Sequence, residues 1–337
     1  MSSRRLLLVS PEFHGYWRSI EAAFRSLGYD VVTHCYDAAP KSEKVWNKLR
    51  HELPARLKGH RQHLSPAVVT GRAVEVLRSV RPDIVLVVRG DALTADFWHA
   101  VDEVGARGAM WLYDEIRRMS YDLDSIGELA AIASYSAQDT ASLQARGIAA
   151  LHVPLAYDPA VVPTNQPTSG EFTFIGARFG KREELLVALA AAGLPVRAYG
   201  RDWSGHPVDL ARTFRAAAGP IPAGRDLCLA DAYGVMEAGL ATLNIHGEQD
   251  GFTMCTFEAA GVGAVQLIDR ADVVDLYEPG REVLVFEDAD DLVRQCRDVL
   301  AAPGRLDKLR EAARAKTLAE HTFALRARAL QELWAEA

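Results

Sequence analysis

The sequence predicts an α/β protein built as two Rossmann-like, doubly wound domains, and three observations carry that expectation. Short apolar runs alternate with amphipathic stretches along the chain. Some of those runs, Ile84-Val85-Leu86-Val87-Val88 above all, are apolar throughout, as strands buried on both faces of a parallel sheet must be. The composition then breaks at residues 157–170, YDPAVVPTNQPTSG, where three prolines with Thr, Asn, Ser and Gly read as a linker. A chain of 337 residues is too long for one typical domain and suits two. The expected division is 1–156 and 171–320 as the two domains, 157–170 as the hinge, and 321–337 as a final helix free to pack back on the first domain.

In order, residues 6–9 read as a buried strand, 10–15 as a loop, and 16–27 as an amphipathic helix stopped by Gly28. Residues 30–35 form the next strand, and 40–80 a charged helical region with a basic section at 41–61. Strands follow at 84–88, 108–113, 129–133 and 150–153, with helices at 94–104 and 138–146. Past the linker the alternation resumes: strand 172–175, helix 181–192, strand 195–199, an irregular polar section, helix 230–237 and strand 240–245. A short strand at 283–286 precedes a helical remainder from residue 289.

Composition excludes several classes. Hydrophobic residues make up 49% of the chain, enough for two cores and too many for wholesale disorder. The formal net charge of −7 argues against nucleic-acid binding as the main task. Cys35, Cys228, Cys255 and Cys296 are scattered and contain no C-x-x-C pair, so neither a disulfide framework nor a zinc knuckle is expected. The apolar run at 6–9 is too short for a signal peptide, and no run approaches the roughly 20 residues of a membrane helix. A soluble, cytoplasmic protein without a membrane span is expected.

Chemistry concentrates where strands end, the edge at which open α/β sheets bind ligands. The stretch 250–269, DGFTMCTFEAAGVGAVQLID, reads as loop, short helix, glycine turn and buried strand. Asp250 and Gly251 open it, and Glu258 stands eight residues after the Asp. A helix N-terminus offers unpaired N–H groups to a phosphate or a polar sugar, and a carboxylate at each end can grip hydroxyls. The same residues also suit a solvated loop before an ordinary core helix. The loop Gly176-Ala177-Arg178-Phe179-Gly180-Lys181-Arg182 places three cations at a helix start, against the dipole, which favours a diphosphate clamp over an ordinary helix start. Tyr199-Gly200-Arg201-Asp202-Trp203 follows another strand, and its aromatic rings suit either a nucleobase or a cover for the sheet end. In the first half, residues 11–15 lack the G-x-G-x-x-G fingerprint, so dinucleotide binding is not expected there. His14, Arg89, Asp91, Asp114 and Glu115 all follow strand ends and are expected to line a cleft. Asp114, rigidly held at the end of a buried strand, is either the group that orients an acceptor hydroxyl or a cap for the next segment.

The C-terminal half, about residues 150–330, resembles the CgeB-like (spore-maturation-type) glycosyltransferases of the GT-B class, related to family-4 retaining enzymes. The resemblance rests on YDP at Tyr157, FIGARFGKR, YGRDW at Tyr199, DAYGVMEAGLATLNIH ending at His246, TFEAAGVGAVQLID ending at Asp269, LYEPGREVLVF, and HTF at His321. It implies two facing Rossmann-like domains, the first for an acceptor and the second for a nucleoside-diphosphate sugar, with a UDP-sugar the leading choice. It implies that Glu258 holds the ribose hydroxyls and Asp250 the donor sugar. Gly176, Gly251, Phe252 and Thr253 would offer backbone groups to the donor, and Arg178 with Lys181 or Arg182 would bind the diphosphate. Tyr199, Gly200 and Trp203 complete the expected donor side. The catalytic expectation is Asp114, His14 and Asp250, and the acceptor expectation is Arg89, Asp91 and Glu115. Here Asp250 is one methylene shorter than the family's Glu, and Cys255 stands where the group commonly has Arg. Transfer with retention and without a metal or other cofactor is the leading expectation. Epimerase or hydrolase action on the same substrate, or nucleotide-sugar binding without turnover, are the alternatives.

Overall fold

Strands that are apolar on both faces need cover on both faces, and the chain builds that cover twice. The computed structural model describes residues 3–38 and 65–335, so the basic helical section expected at 41–61 lies outside the described residues. The chain divides into two compact units, Met1–Pro154 with Phe323–Ala337, and Leu155–Thr322.

Unit 1 runs β1 (Arg5–Ser10), α1 (Tyr16–Ser26), β2 (Asp30–Cys35), α2 (Pro66–Val80), β3 (Ile84–Val88), α3 (Ala95–Glu103), β4 (Arg107–Leu112), α4 (Ile126–Leu129), β5 (Ala131–Ser134), α5 (Ala137–Ala145) and β6 (Ala150–His152). The sheet order is β2-β1-β3-β4-β5-β6, parallel throughout. Leu6, Leu7, Leu8 and Val9 of β1 are fully buried, as are Val85, Leu86 and Val87 of β3 beside it. The switch point of this order lies between β1 and β3. The strand expected at 129–133 begins two residues later, because Leu129 closes α4.

Unit 2 runs β7 (Phe172–Ile175), α6 (Gly180–Ala191), β8 (Val196–Tyr199), α7 (Pro207–Thr213), β9 (Ala223–Gly224), α8 (Leu229–Ala238), β10 (Ala241–Asn244), α9 (Met254–Gly261), β11 (Gln266–Ile268), β12 (Leu284–Val285), α10 (Ala289–Ala301) and α11 (Leu306–Glu320). Its order is β12-β11-β10-β7-β8-β9, again parallel, and its switch point falls between β7 and β10. The polar section read as irregular contains α7, which starts on Pro207 and is capped by the His206 ring accepting from Val208 N–H at 3.2 Å. Its buried Asp209 is paired with Arg225 at 2.8 Å, a contact between residues 16 apart that no local pattern announces.

The stretch read as a linker is tied along unit 2. Tyr157 N–H donates to His321 O at 2.9 Å, Thr164 N–H to Ala230 O at 3.0 Å and Ser169 N–H to Ala238 O at 2.7 Å. The last helix, α12 (Phe323–Ala335), belongs to unit 1. Trp334 Nε1 donates to Tyr29 Oη at 3.1 Å, and the Trp334 ring lies 5.8 Å from that of Phe24 on α1.

The strand ends of unit 2 depend on close backbone approach. Gly200 has φ +153°, and a Cβ there would lie 2.5 Å from Gly176 O. Gly200→Ala should therefore cost about 1–3 kcal/mol in urea unfolding, from strain and the forced separation of two loops. Unchanged stability would contradict this packing.

Candidate functional site

The first loop at the unit 2 switch point leaves β7 at Ile175 and enters α6 at Gly180. Its three cations are all engaged. Arg178 makes a bidentate pair with Glu183, Nε to Oε2 at 2.8 Å and Nη2 to Oε1 at 2.6 Å, with its guanidinium 5.6 Å from the Trp203 ring centre. That pairing raises the Arg178 pKa and lowers that of Glu183, so both stay charged. Lys181 Nζ reaches Asp269 Oδ2 at 2.6 Å, while its own side chain stays 56% exposed. Arg182 is buried, donating through Nε to Ile245 O at 2.8 Å and through Nη1 to Ala177 O at 3.0 Å. Arg182 thus fastens the ends of β7 and β10 together from inside. Trp203 is likewise inside, 0% exposed, with Nε1 donating to Gly176 O at 3.0 Å. It covers the sheet end. Tyr199 is half-buried at the end of β8, its carbonyl taken by Gly176 N–H at 3.0 Å.

Asp269, directly after β11, is the junction of the site. Its buried carboxylate accepts from His246 N–H at 2.9 Å, from His246 Nδ1 at 3.0 Å and from Lys181. Burial works to raise its pKa, but these hydrogen bonds outweigh it and hold the carboxyl below the usual carboxylate range. Burial also lowers the His246 pKa, against the pull of Asp269. A neutral ring that donates Nδ1–H to Asp269 leaves Nε2 as an acceptor, buried and without a hydrogen-bond partner among the described residues.

The loop carrying Asp250, Gly251, Phe252 and Thr253 is gripped by Arg270, a residue the sequence reading did not single out. Arg270 donates to Gln249 O at 3.0 Å, Asp250 O at 2.8 Å and Gly251 O at 3.3 Å, and its guanidinium lies 4.2 Å from the Phe252 ring centre. Asp272 holds the other side of the guanidinium, through Nε at 2.9 Å. Thr253 is the N-cap residue of α9. A buried amide network fixes that helix start: Asn244 Nδ2 donates to Thr256 Oγ1 at 2.7 Å and to Gln266 Oε1 at 2.8 Å. Glu258 sits one turn further, only 2% exposed. Cys255, two helix positions from the cap, has its thiol pushed up to about 12 by burial first and by Glu258 second.

In unit 1 the switch-point edge gathers Arg89, Asp91 and Asp114. Arg89 Nε meets Asp91 Oδ1 at 2.9 Å, and Nη1 lies 3.6 Å from Asp114 Oδ2. Arg118, not anticipated from the sequence, joins them, 3.3 Å from Asp114 and 3.2 Å from Glu115. Glu115 is fully buried and accepts from Tyr135 Oη. Burial raises the Asp114 pKa. Arg89 has φ +63° and Gly90 φ +79°, a left-handed pair at a strand end. His14, also left-handed at φ +47°, meets the rings of Phe13 and Tyr16 instead of this cluster.

A surface depression of about 560 Å³ adjoins Asp269, and its three carboxylates, Asp269, Glu287 and Asp291, outnumber its one guanidinium, Arg294, a lining that disfavours an anion. Among the described residues there is no group of three or more His, Cys, Asp or Glu side chains placed to hold a metal, and no helix long and apolar enough to cross a membrane.

Two parallel doubly wound units of this kind define the GT-B class of glycosyltransferase folds, and comparison with solved structures agrees. The fold is similar to sucrose-phosphate synthase from Thermosynechococcus elongatus, at 14% identity over 98% of each chain and a TM-score of 0.62. It is similar to Anabaena HepE in complex with UDP-glucose, at 10% identity over 99% of this chain and 100% of that one, TM-score 0.65. A Listeria monocytogenes protein described as a candidate UDP-N-acetylglucosamine 2-epimerase also matches, at 14% identity over 98% and 95% of the chains, TM-score 0.54. Residues 181–332 match the family model described as glycosyl transferase-like, so a glycosyltransferase-like domain occupies that span. No curated protein matches the chain in sequence.

Asp269→Asn should cost about 1–3 kcal/mol at pH 7, because buried donors lose a charged acceptor. Lys181 adds little to that figure, being mostly exposed and screened. Since the folded-state pKa is lowered, the stability it contributes is present above the ordinary carboxylate value and lost as the pH falls through the folded value. Urea unfolding of wild type and variant should converge below about pH 4. A constant gap down to pH 2 would contradict the ionised junction.

Proposed function

We propose that the chain is a CgeB-like glycosyltransferase that takes a hexose-type sugar from a nucleoside diphosphate, UDP by preference, and passes it with retention to an acceptor. The observation that carries the reading is a coincidence of position. The glycosyl transferase-like match at 181–332 spans the switch-point residues Lys181, Asp250, Glu258 and Asp269, and the cationic loop after β7 lies at its edge. The UDP and UDP-glucose held by HepE, which shares the fold, support the choice of nucleotide.

In this reading Arg178 and Lys181 exchange their carboxylate partners for phosphate oxygens, with Glu183 turning to solvent and Asp269 keeping its hydrogen bonds from His246. Those two cations stabilise the leaving diphosphate, and the transfer needs no metal ion. Arg182 and Trp203 support the loop from behind, and Gly176 and Gly200 keep it close to the sheet. Glu258 takes the ribose hydroxyls, its burial strengthening the bonds it accepts. Asp250 takes the sugar, and Gly251, Phe252 and Thr253 supply backbone donors. On unit 1, Asp114 orients the acceptor hydroxyl, with its burial-raised pKa favouring proton exchange, and Arg89 and Asp91 frame the acceptor, while the buried Glu115 holds Arg118 beside them and His14 stands apart from the cluster. The likeness to the Listeria protein keeps a second reading in view, epimerisation or hydrolysis of the same class of substrate.

A calorimetric screen of UDP-, GDP-, ADP- and TDP-sugars tests the donor, followed by product analysis with EDTA present. Binding of one donor, and transfer to an acceptor in EDTA, is expected. Epimerised sugar, or free sugar alone with every acceptor tried, would favour the second reading, and no binding would remove both. Glu258→Gln should weaken the nucleotide by about 1.5–3 kcal/mol, the worth of hydrogen bonds to a charged group, with folding intact. Unchanged affinity would remove Glu258 from the ribose.

A further inference from the structure

The way Arg270 holds the loop before α9 has a consequence for the other side of that loop. The carbonyl oxygens of Gln249, Asp250 and Gly251 all accept from this one guanidinium, at 3.0, 2.8 and 3.3 Å. In a trans peptide the N–H of the next residue is antiparallel to the C=O, and the described chain contains no cis bond. The N–H groups of Asp250, Gly251 and Phe252 are therefore all turned away from Arg270. Those of Gly251 and Phe252 have no hydrogen-bond partner among the described residues, although Gly251 itself is buried. A buried backbone N–H without a partner is rare and costly, and successive N–H groups facing one way form an anion-binding concavity. This concavity leads directly into Thr253 and the start of α9, whose first N–H groups face the same task.

Arg270 cannot turn to the anion itself without leaving the loop. Its side chain is 17% exposed, its charge is met by Asp272, and the Phe252 ring lies over its face at 4.2 Å. We propose that Arg270 is a positioning residue for the donor: by holding three consecutive carbonyl groups it aims the backbone N–H groups of Gly251 and Phe252 at the phosphate oxygens of a nucleoside diphosphate. The inference rests on the proposed function and adds to it a residue that acts through the backbone. Asp272 is part of the device, because it fixes the guanidinium in the plane that reaches all three carbonyls. Lysine in place of Arg270 keeps the charge and loses the fork, so it cannot reproduce the arrangement.

The test uses the full chain and the nucleoside diphosphate that wild type binds best among UDP, GDP, ADP and TDP. Calorimetry gives the affinity for the diphosphate, and NMR titration gives that for the matching nucleoside. Arg270→Ala and Arg270→Lys should each weaken the diphosphate about tenfold or more and leave the nucleoside within about twofold. Asp272→Asn should weaken the diphosphate in the same direction by a smaller factor. Three results would overturn the inference: unchanged diphosphate affinity in both Arg270 variants, equal weakening of diphosphate and nucleoside, or tighter diphosphate binding by Asp272→Asn. The last would mark a direct contact between Arg270 and phosphate, freed by removal of a competing carboxylate. Should Arg270→Ala fail to fold, Arg270→Lys and Asp272→Asn decide the matter by themselves. Failure of wild type to bind any of the four diphosphates would remove the proposed function and this inference together, and is seen before any variant is compared.

Discussion

The loops at the switch point of unit 2 hang on one buried carboxylate. Parallel pairing sets Asn244 beside Ile268, so the residues just past β10 and β11 are brought face to face. Asp269 meets both the backbone and the ring of His246 there, and reaches Lys181 at the start of α6. An ionised acid in a buried position is costly unless its lone pairs are filled. The hydrogen bonds from His246 and Lys181 fill them, and in doing so fix where the loop after β10 starts. Arg182 ties the end of β10 to the end of β7 from beneath, through Ile245 O and Ala177 O. Arg270, next in sequence to Asp269, then sets the loop's far end. The short segment 269–270 thus determines the geometry of residues 246–253.

Both sheets place polar, strained or close-packed residues at their switch points, but the two edges differ in charge. In unit 2 the cations pair with nearby carboxylates, Arg178 with Glu183 and Lys181 with Asp269, and the proposed function has an arriving diphosphate take the place of those carboxylates. In unit 1 two arginines, Arg89 and Arg118, are shared among Asp91, Asp114 and Glu115. The left-handed Arg89-Gly90 pair is held in place by Tyr121 Oη donating to Arg89 O at 2.9 Å, and a Cβ on Gly90 would lie 2.4 Å from Val87 Cγ1. Backbone strain of this kind, about 1–3 kcal/mol for a non-glycine residue, persists only where the surroundings over-determine it.

Much of the architecture is legible because burial acts locally. A run such as residues 84–88 can be hidden only in the middle of a parallel sheet, and the residues that follow such runs necessarily come to one edge. That places Arg89, Asp114, Arg178, Tyr199 and His246 at strand ends from sequence alone. The partners of those residues were not legible. Lys181 and Asp269 are 88 positions apart, Arg182 and Ile245 63, and Trp203 and Gly176 27. Nothing near Trp203 in the chain says that its indole will turn inward to a glycine carbonyl rather than outward to a base. Arg270 looks like an ordinary surface cation until the loop 249–251 folds over it. Helix α7 was missed because it is short, polar and stabilised by the distant Arg225.

A crystal structure of the chain with UDP-glucose, the ligand held by HepE, tests the central claim most directly. The account predicts the diphosphate at the ends of β7 and β10, with Arg178 released from Glu183, Lys181 released from Asp269, and the backbone N–H groups of Gly251 and Phe252 donating to the donor. A nucleotide bound elsewhere, with both ion pairs intact, would contradict it.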